Sequence, residues 1–365
     1  MLDVAINILK TINEAGYEAY IVGGYVRNSL LGIDSTDIDI TTNATPKELQ
    51  EIFNEAVIPI ADYGAVILNT NDYKFEITTF RREIKYINNR KPIEVEYIKD
   101  LSEDLLRRDF TVNTICMDKD KKIIDLLNGK EDIENRVIKT VLDPYHKFEE
   151  DALRILRAIR FATILDFTLD SELEKAIFDK KNLLKNISYE RKKEELDKIF
   201  SSVNSRRGID LLLKYELDKE LELDKLKDIE VVDSLMSVWS YLNVCEIYPF
   251  TTAEKDIIRN VNEAIKYDNY DKNVLYKYGL YVNQIAGSMK GLDKRIITEK
   301  YNNLPIESRR DLDISSEDII SIIGKDPGEY IGLIYNDLEE LVLDYKLNNN
   351  KDSLVKYIIE NKNKY

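Results

Sequence analysis

Residues 21–40 read IVGGYVRNSLLGIDSTDIDI, and this stretch decides which fold the N-terminal part can adopt. The apolar run that ends in Gly23 and Gly24 reads as a short strand entering a turn. YVRNSLLG then reads as a helix closed by Gly32, and TDIDITT as an alternating strand. On a strand, residues i and i+2 leave from one face, so Asp37 and Asp39 point the same way while Ile38 and Ile40 enter the core. Two carboxylates side by side repel unless a cation lies between them. Oxygen ligands of this kind suit Mg²⁺, and a two-ion arrangement supports in-line phosphoryl or nucleotidyl transfer. Gly23 and Gly24 leave a phosphate room to approach backbone N–H groups at a helix start, and Arg27 adds a forked donor one turn on. An isolated Asp-x-Asp fits an exposed strand edge equally well; it is the neighbouring glycines and arginine that favour chemistry.

Working outward, Val4, Ile8, Leu9 and Ile12 have helical spacing and stop at Gly16. TPKELQEIF supplies Thr45 as an N-cap and Pro46 at the first helical position. AVILNT, KFEITTF and VEYI follow as strand candidates rich in β-branched and aromatic residues. Glu76 alternates with Phe75 and Ile77, which lets it face the Asp37/Asp39 pair from a neighbouring strand or, alternatively, face solvent. Mixed strands and helices thus fill about the first 130 residues, and from about Pro144 helical spacing takes over. The C-terminal KLNNNKDSL and ENKNKY are polar and read as loop and frayed end.

Composition narrows the classes. At 365 residues the chain has room for two or three domains of about 150 residues each, and 44% hydrophobic with 33% charged residues is typical of a globular protein. An amphipathic N-terminus carrying Asp3 speaks against a secretory signal, and no apolar run approaches a membrane span; the expectation is a cytoplasmic protein. Cys116 and Cys245 stand far apart and offer neither a disulfide framework nor a metal cluster. The single histidine, His146, excludes His-rich metal sites and reads as a loop residue. The net charge of -15 excludes a surface that traps nucleic acid everywhere but not a local basic groove.

In EEDALRILRAIRFAT, Asp151, Arg154, Arg157 and Arg160 recur every third residue, with Ile155, Leu156, Ile159 and Ala162 mostly opposite. One reading is an amphipathic helix with Asp-to-Arg i,i+3 support. The other is a base reader. An Asp carboxylate accepts from the exocyclic amine of cytosine or adenine, while an Arg fork donates to their ring acceptors; guanine and uracil present the wrong groups there.

The run VGGYVRNSLLG…DIDITTNATP, followed by ITTFR, LLRRDFTVNTI and EEDALRILRAIRF, closely resembles the bacterial-type class II tRNA nucleotidyltransferases and their sister poly(A) polymerases, within the DNA polymerase beta superfamily. The similarity covers approximately residues 15–200 and holds five motifs in the family's order. It implies an α+β nucleotidyltransferase head, a mixed sheet with helices, followed by an all-α neck, body and tail: a catalytic head at 1–140, a neck with the nucleotide-selecting motif at 141–205, and a tRNA-binding body and tail at 206–365. By the same resemblance Asp37 and Asp39 are the metal-binding carboxylates; two Mg²⁺ ions are expected there, and Glu76, from its strand alternation, is expected as a third catalytic carboxylate facing them. Gly23, Gly24 and Arg27 meet the triphosphate, and Arg108, Asp109 and Asn113 the ribose, where Asp109 or Asn113 offers a polar group for the 2′-OH. Asp151 and Arg154 become the protein template, with Arg157 and Arg160 serving the nucleotide or its phosphates.

The implied activity is CCA addition to tRNA from CTP and ATP, with contacts to the 3′ end and the acceptor/TΨC region, and with no membrane or protein partner. Close alternatives are a CC-adding or A-adding enzyme or a poly(A) polymerase. From another class, a catalytically silent RNA-binding protein fits the same frame. The chain departs from the family at Asn28, where Asp is usual, which removes a charge beside the phosphate site. It departs again at Asn88, within REIKYINNRKPIEVEY, a segment about as long as the flexible loop that permits the switch from C to A. For RNA contact, Lys181, Lys185, Arg191, Lys192, Lys193, Arg206 and Arg207 form a basic cluster interrupted by Glu190, Glu194, Glu195 and Asp197. The tyrosines Tyr241, Tyr267, Tyr270, Tyr276 and Tyr278 offer stacking or packing surfaces.

Overall fold

A computed structural model describes the chain except residues 55–56, 60–63, 71, 88–90 and 231 and the side chains of 57–59, 85–87 and 91–94. The chain forms two compact units, Met1–Leu226 and Lys227–Tyr365. The first therefore runs past the residue 205 at which the neck is expected to end.

In the first unit, α1 (Leu2–Glu14) buries Ala5, Ile6, Ile8, Leu9 and Ile12 on one face. Next come β1 (Ala19–Val22), α2 (Gly24–Leu30), β2 (Asp39–Thr42) and α3 (Pro46–Phe53). The start of α3 is fixed by a capping box in which Thr45 and Glu48 satisfy each other's backbone N–H groups. β3 (Val57–Pro59), β4 (Ala65–Asn69), β5 (Lys74–Thr79), β6 (Arg81–Ile87) and β7 (Lys91–Tyr97) follow, then α4 (Leu101–Leu106), a 3₁₀ turn at Thr111–Asn113, β8 (Cys116–Met117), β9 (Ile123–Ile124) and α5 (Gly129–Glu134). Among the described residues, seven strands make one sheet in the order β3-β4-β5-β2-β1-β8-β9. β2 pairs antiparallel with β1 and parallel with β5, so Asp39 stands opposite Val22 on one side and Glu76 on the other. Ile21, Ile40, Phe75 and Ile77 are buried behind this face, as strand alternation requires.

Two expectations change here. Asp37 lies just before β2 rather than on it, although Ile38 and Ile40 are buried while Asp37 and Asp39 are exposed, so the alternation holds. The described residues of REIKYINNRKPIEVEY are strand rather than loop: β6 and β7 pair antiparallel with register shifts near Lys85. Its β-branched and aromatic residues alternate with charges and so suit strand pairing. Asn88 lies outside the described residues.

Beyond β10 (Val137–Ile138) the unit is helical: α6 (Pro144–Glu150), α7 (Leu153–Ile164), then β11 (Thr168–Leu169) pairing with β10, α8 (Ser171–Lys180), α9 (Tyr189–Phe200), α10 (Ser205–Lys214) and α11 (Leu217–Glu220). α7 packs against α9 and α10, burying Ile155, Leu156, Ile159 and Ala162. The helix expected through EEDALRILRAIRFAT is broken. Asp151 has extended φ/ψ of -142° and 106° and ends α6, and its Oδ1 accepts from the Leu153 N–H at 3.0 Å. A short acceptor that can satisfy an orphan N–H favours a helix start over a helix interior.

The second unit comprises α12 (Leu235–Leu242), α13 (Thr252–Ala264), α14 (Lys272–Met289, interrupted at Gly279), α15 (Lys294–Asn302), α16 (Ser316–Ile323), α17 (Tyr330–Leu343) and α18 (Lys351–Glu360). Trp239 packs on Tyr248 and Phe250. Ile319, Ile334, Leu338, Leu354 and Ile358 form a C-terminal core. The tyrosines mostly serve structure: Tyr270 is buried, Tyr276 donates to Glu339, and Tyr267 pairs with Tyr278. Among the described residues no helix is long and apolar enough to cross a membrane.

Candidate active site

A cavity of about 620 Å³ in the first unit is lined by Gly23, Gly24, Arg27, Asp37, Asp39, Arg108, Asp109, Asn113, Asp151, Arg154, Arg157 and Arg160. All of the expected site residues except Glu76 meet here. Glu83, Arg107, Leu153, Phe161 and Arg191 complete the wall, so seven arginines face five carboxylates in an otherwise acidic protein. A locally positive, concave surface of this kind draws in a polyanion irrespective of net charge.

Gly23 ends β1 with φ +80° and ψ -130°, a region open essentially to glycine. Its N–H donates to the Ile115 carbonyl at 3.3 Å and so belongs to the scaffold rather than to a phosphate. What Gly23 contributes to the cavity is space beside Arg108: a Cβ there would lie 3.8 Å from Arg108 Nη1.

Arg27 is buried and held from two sides. Its Nη1 donates to Asn113 Oδ1 at 2.5 Å, and its Nε and Nη2 donate to Asn28 Oδ1 at 3.1 and 2.8 Å. Asn28, the departure from the family pattern, thus supplies the oxygen that fixes Arg27 without adding a charge. Burial, with the nearby Arg160 and Arg157 charges, pulls the Arg27 guanidinium down to about 10, against the attraction of Asp109.

Asp109 is 7% exposed. Its Oδ1 accepts from the Phe110 N–H at 2.8 Å and from Asn113 Nδ2 at 3.2 Å, and its Oδ2 accepts from Arg157 Nε at 2.7 Å and from Arg157 Nη2. The acceptor positions of the carboxylate are filled, so Asp109 acts as a hub rather than an open contact. Burial raises its pKa, but the Arg157 charge and these hydrogen bonds outweigh burial and hold it well below the usual carboxylate range. Asp104, fully buried on α4 and unremarked in the sequence, anchors the next two cations: its carboxylate accepts from Arg107 Nε at 2.8 Å, Arg108 Nη2 at 3.4 Å and the Arg81 N–H at 3.2 Å.

Phe161 gathers Arg27, Arg157 and Arg160 around one ring, their guanidinium carbons 5.2, 5.6 and 4.2 Å from its centroid. Such contacts stabilise desolvated cations. Arg157 and Arg160 neighbour Phe161 on α7 itself, whereas Arg27 of α2 reaches the ring only once the two helices are brought together. Arg160 also meets Glu195 of α9 at 3.1 Å.

The expected base-reading pair, Asp151 and Arg154, is separated by the helix break. Asp151 pairs with Arg191, not with Arg154. Arg154 bonds to Glu150 and to the carbonyls of Lys147 and Arg107, each of the latter at 2.9 Å. The basic cluster of 181–207 is dispersed in ion pairs, Lys181 with Glu216, Lys185 with Glu220, Lys193 with Asp197 and Arg206 with Asp210. Only its Arg191 reaches the cavity.

Asp37 and Asp39 form the cavity's acidic corner. Asp39 opens into the cavity but is otherwise enclosed by protein, and burial, then the charges of Asp37 and Glu76, push its carboxyl up to about 6. One carboxyl that resists ionisation in the absence of a cation, crowded by the hard-oxygen donor of Asp37, fits a divalent ion. Glu76 adds its field from β5 but does not line the cavity, and among the described residues no three acidic, His or Cys side chains form a metal cluster. The pair alone offers the donor set.

Fold and site together define a nucleotidyltransferase: a mixed-sheet head bearing a paired-aspartate corner, opened onto an arginine-lined helical neck. Residues 19–139 match the Poly A polymerase head domain, 166–225 the probable RNA and SrmB-binding site of polymerase A, and 243–358 the putative tRNA nucleotidyltransferase domain 2. The chain is 36% identical to the CCA-adding enzyme of Bacillus pumilus, with 97% of this chain and 96% of that protein covered. With the CCA-adding enzyme of Ligilactobacillus salivarius the identity is 34%, over 96% and 94%. The crystal structure of the Bacillus stearothermophilus CCA-adding enzyme in complex with CTP superposes with a TM-score of 0.84 at 27% identity, covering 99% of this chain and 97% of that one. The chain belongs to the CCA-adding enzyme family.

Proposed function

We infer that this protein adds C, C and A to the 3′ end of tRNA, taking CTP and ATP and releasing pyrophosphate. The observation that carries this reading is the single cavity in which the Asp37/Asp39 corner faces Asp151 and Arg154 of the helical neck. A site for phosphoryl chemistry and a site able to read base edges without a template are thereby one site. Full-length likeness to CCA-adding relatives favours the complete reaction over CC-only, A-only or poly(A) synthesis, and the intact aspartate pair opposes a silent RNA-binding role.

In the reaction we assign, the tRNA 3′-hydroxyl attacks the α-phosphorus in line and pyrophosphate leaves. Arg27, held between Asn28 and Asn113, presents a fixed cation to the triphosphate, with Arg157 and Arg160 completing the charge. Arg108, Asp109 and Asn113 stand at the ribose, Asp109 acting by holding Arg157 and Asn113 in place. Asp151 and Arg154 read the base. Asp37 and Asp39 would hold two Mg²⁺ ions, whose chemistry when bound is to offset phosphate charge and favour the ionised hydroxyl. We assign 1–140 to the catalytic head, 141–205 to the neck and 206–365 to a tRNA-binding body and tail, and the whole to the cytoplasm, where tRNA and the nucleotides meet.

The test is incubation of tRNA lacking its tail with each labelled nucleotide. Two C and then one A are expected, with Asp37→Ala and Asp39→Ala inactive though folded. Addition of C alone, of A alone or of long A runs would assign the alternative activities, and no incorporation by the unaltered protein would overturn the reading.

A further inference from the structure

The carboxylate assigned to base reading cannot turn freely. Asp151 Oδ1 accepts from the Leu153 N–H at 3.0 Å and from Arg191 Nη1 at 3.3 Å, and Oδ2 accepts from Arg191 Nη2 at 2.9 Å. A carboxylate has about four acceptor positions, so three are filled and one remains, on Oδ2. Arg191 comes from α9, forty residues further along the chain, and both side chains line the cavity. One turn beyond Arg191, Glu195 holds Arg160. Helix α9 thus sets one cation against Asp151 at the break between α6 and α7, and one anion against Arg160 within α7.

We propose that Arg191 is a specificity-determining residue: its fork fixes the Asp151 carboxylate in one orientation, with a single acceptor directed at the exocyclic amine of cytosine or adenine. This rests on the assignment of Asp151 as the base reader. The physical point is directional. A fixed acceptor rewards an amine and repels the keto oxygen that uracil or guanine places there, whereas a carboxylate free to swing away relieves that repulsion and loses the reward. Rejection by a misplaced acceptor is as much a part of selectivity as attraction. A planar two-pronged donor does this and a point charge does not.

The experiment measures kcat/KM for CTP and for UTP separately, with the full-length enzyme and tail-less tRNA, alongside thermal melting of each variant. Arg191→Gln is expected to lower the CTP/UTP ratio by roughly tenfold or more, the scale of one bidentate recognition pair. Arg191→Lys is expected to fall between Gln and the unaltered enzyme, and it carries the test if the Gln variant does not fold. Asp151→Asn separates the two claims. If it loses discrimination while the Arg191 variants lower both substrates by a common factor, Arg191 is only structural and the inference fails alone. If Asp151→Asn keeps full discrimination, the base-reading assignment fails, and the inference with it.

Discussion

Asp109 and Arg157, 48 residues apart in sequence, are joined through Oδ2 and Nε at 2.7 Å, and the same carboxylate reaches Arg27 through Asn113. This relay ties α2, the 3₁₀ turn after α4 and α7 into one frame, so Arg27, which we propose meets the triphosphate, shares a support with the arginines of α7.

The frame has a pH signature. Asp109 is held below its unfolded value of about 3.9, so its contribution to stability is present above that value. It is lost as pH falls through 3.9 toward the folded value. Asp109→Asn should cost about 2 kcal/mol near neutrality, the scale of hydrogen bonds to a charged group. Urea unfolding at successive pH values should show the gap between the unaltered protein and this variant closing below about pH 4; a gap constant with pH would contradict the relay.

Phe161 should act on nucleotide binding more than on folding. Phe161→Leu keeps an apolar side chain but removes the ring face shared by three guanidinium groups, each contact worth about 0.5–1 kcal/mol. The expected result is a KM for CTP raised by roughly tenfold, with melting shifted by a few degrees. Equal KM values would show that the arginines hold their places without the ring.

Asn28 supplies an oxygen, not a charge. Asn28→Ala removes two hydrogen bonds from Arg27 and should raise the nucleotide KM by about tenfold, since a hydrogen bond to a charged group contributes about 1.5–3 kcal/mol. Asn28→Asp keeps that oxygen and should remain within about threefold of the unaltered enzyme. A severe loss in Asn28→Asp, measured by steady-state kinetics, would mean that neutrality at this position matters.

Gly23→Ala places a side chain at φ +80°. The strain should cost about 1–3 kcal/mol, read as a lower urea midpoint, while the added Cβ, at an ordinary contact distance of 3.8 Å from Arg108 Nη1, leaves that cation in place.

Local rules made much of this legible before folding. Helical spacing fixed α1, the Thr45 cap and Pro46 fixed the start of α3, and alternation around Ile38 and Ile40 put Asp37 and Asp39 on the exposed side. Twelve of the seventeen cavity residues are legible in the short motifs, several only through the family resemblance, while Glu83, Arg107, Leu153, Phe161 and Arg191 are not. Glu76 was different. Alternation gave its strand but not which sheet face looks into the cavity, and it stands beside Asp39 without lining that cavity.

The sequence by itself determined the elements, the acidic corner and the residue types able to read a base. Tertiary structure alone decided the partners. Asp151 is spaced i,i+3 from Arg154, yet it breaks the helix to cap Leu153 and pairs with Arg191 of α9, because packing of α9 against α7 brings that cation to the break. Asp104 and Arg191 carry no local signal of their roles, and Phe161 none of its contact with Arg27. Those roles arise from desolvation and convergence of charges drawn from distant segments, which exist only after packing excludes water.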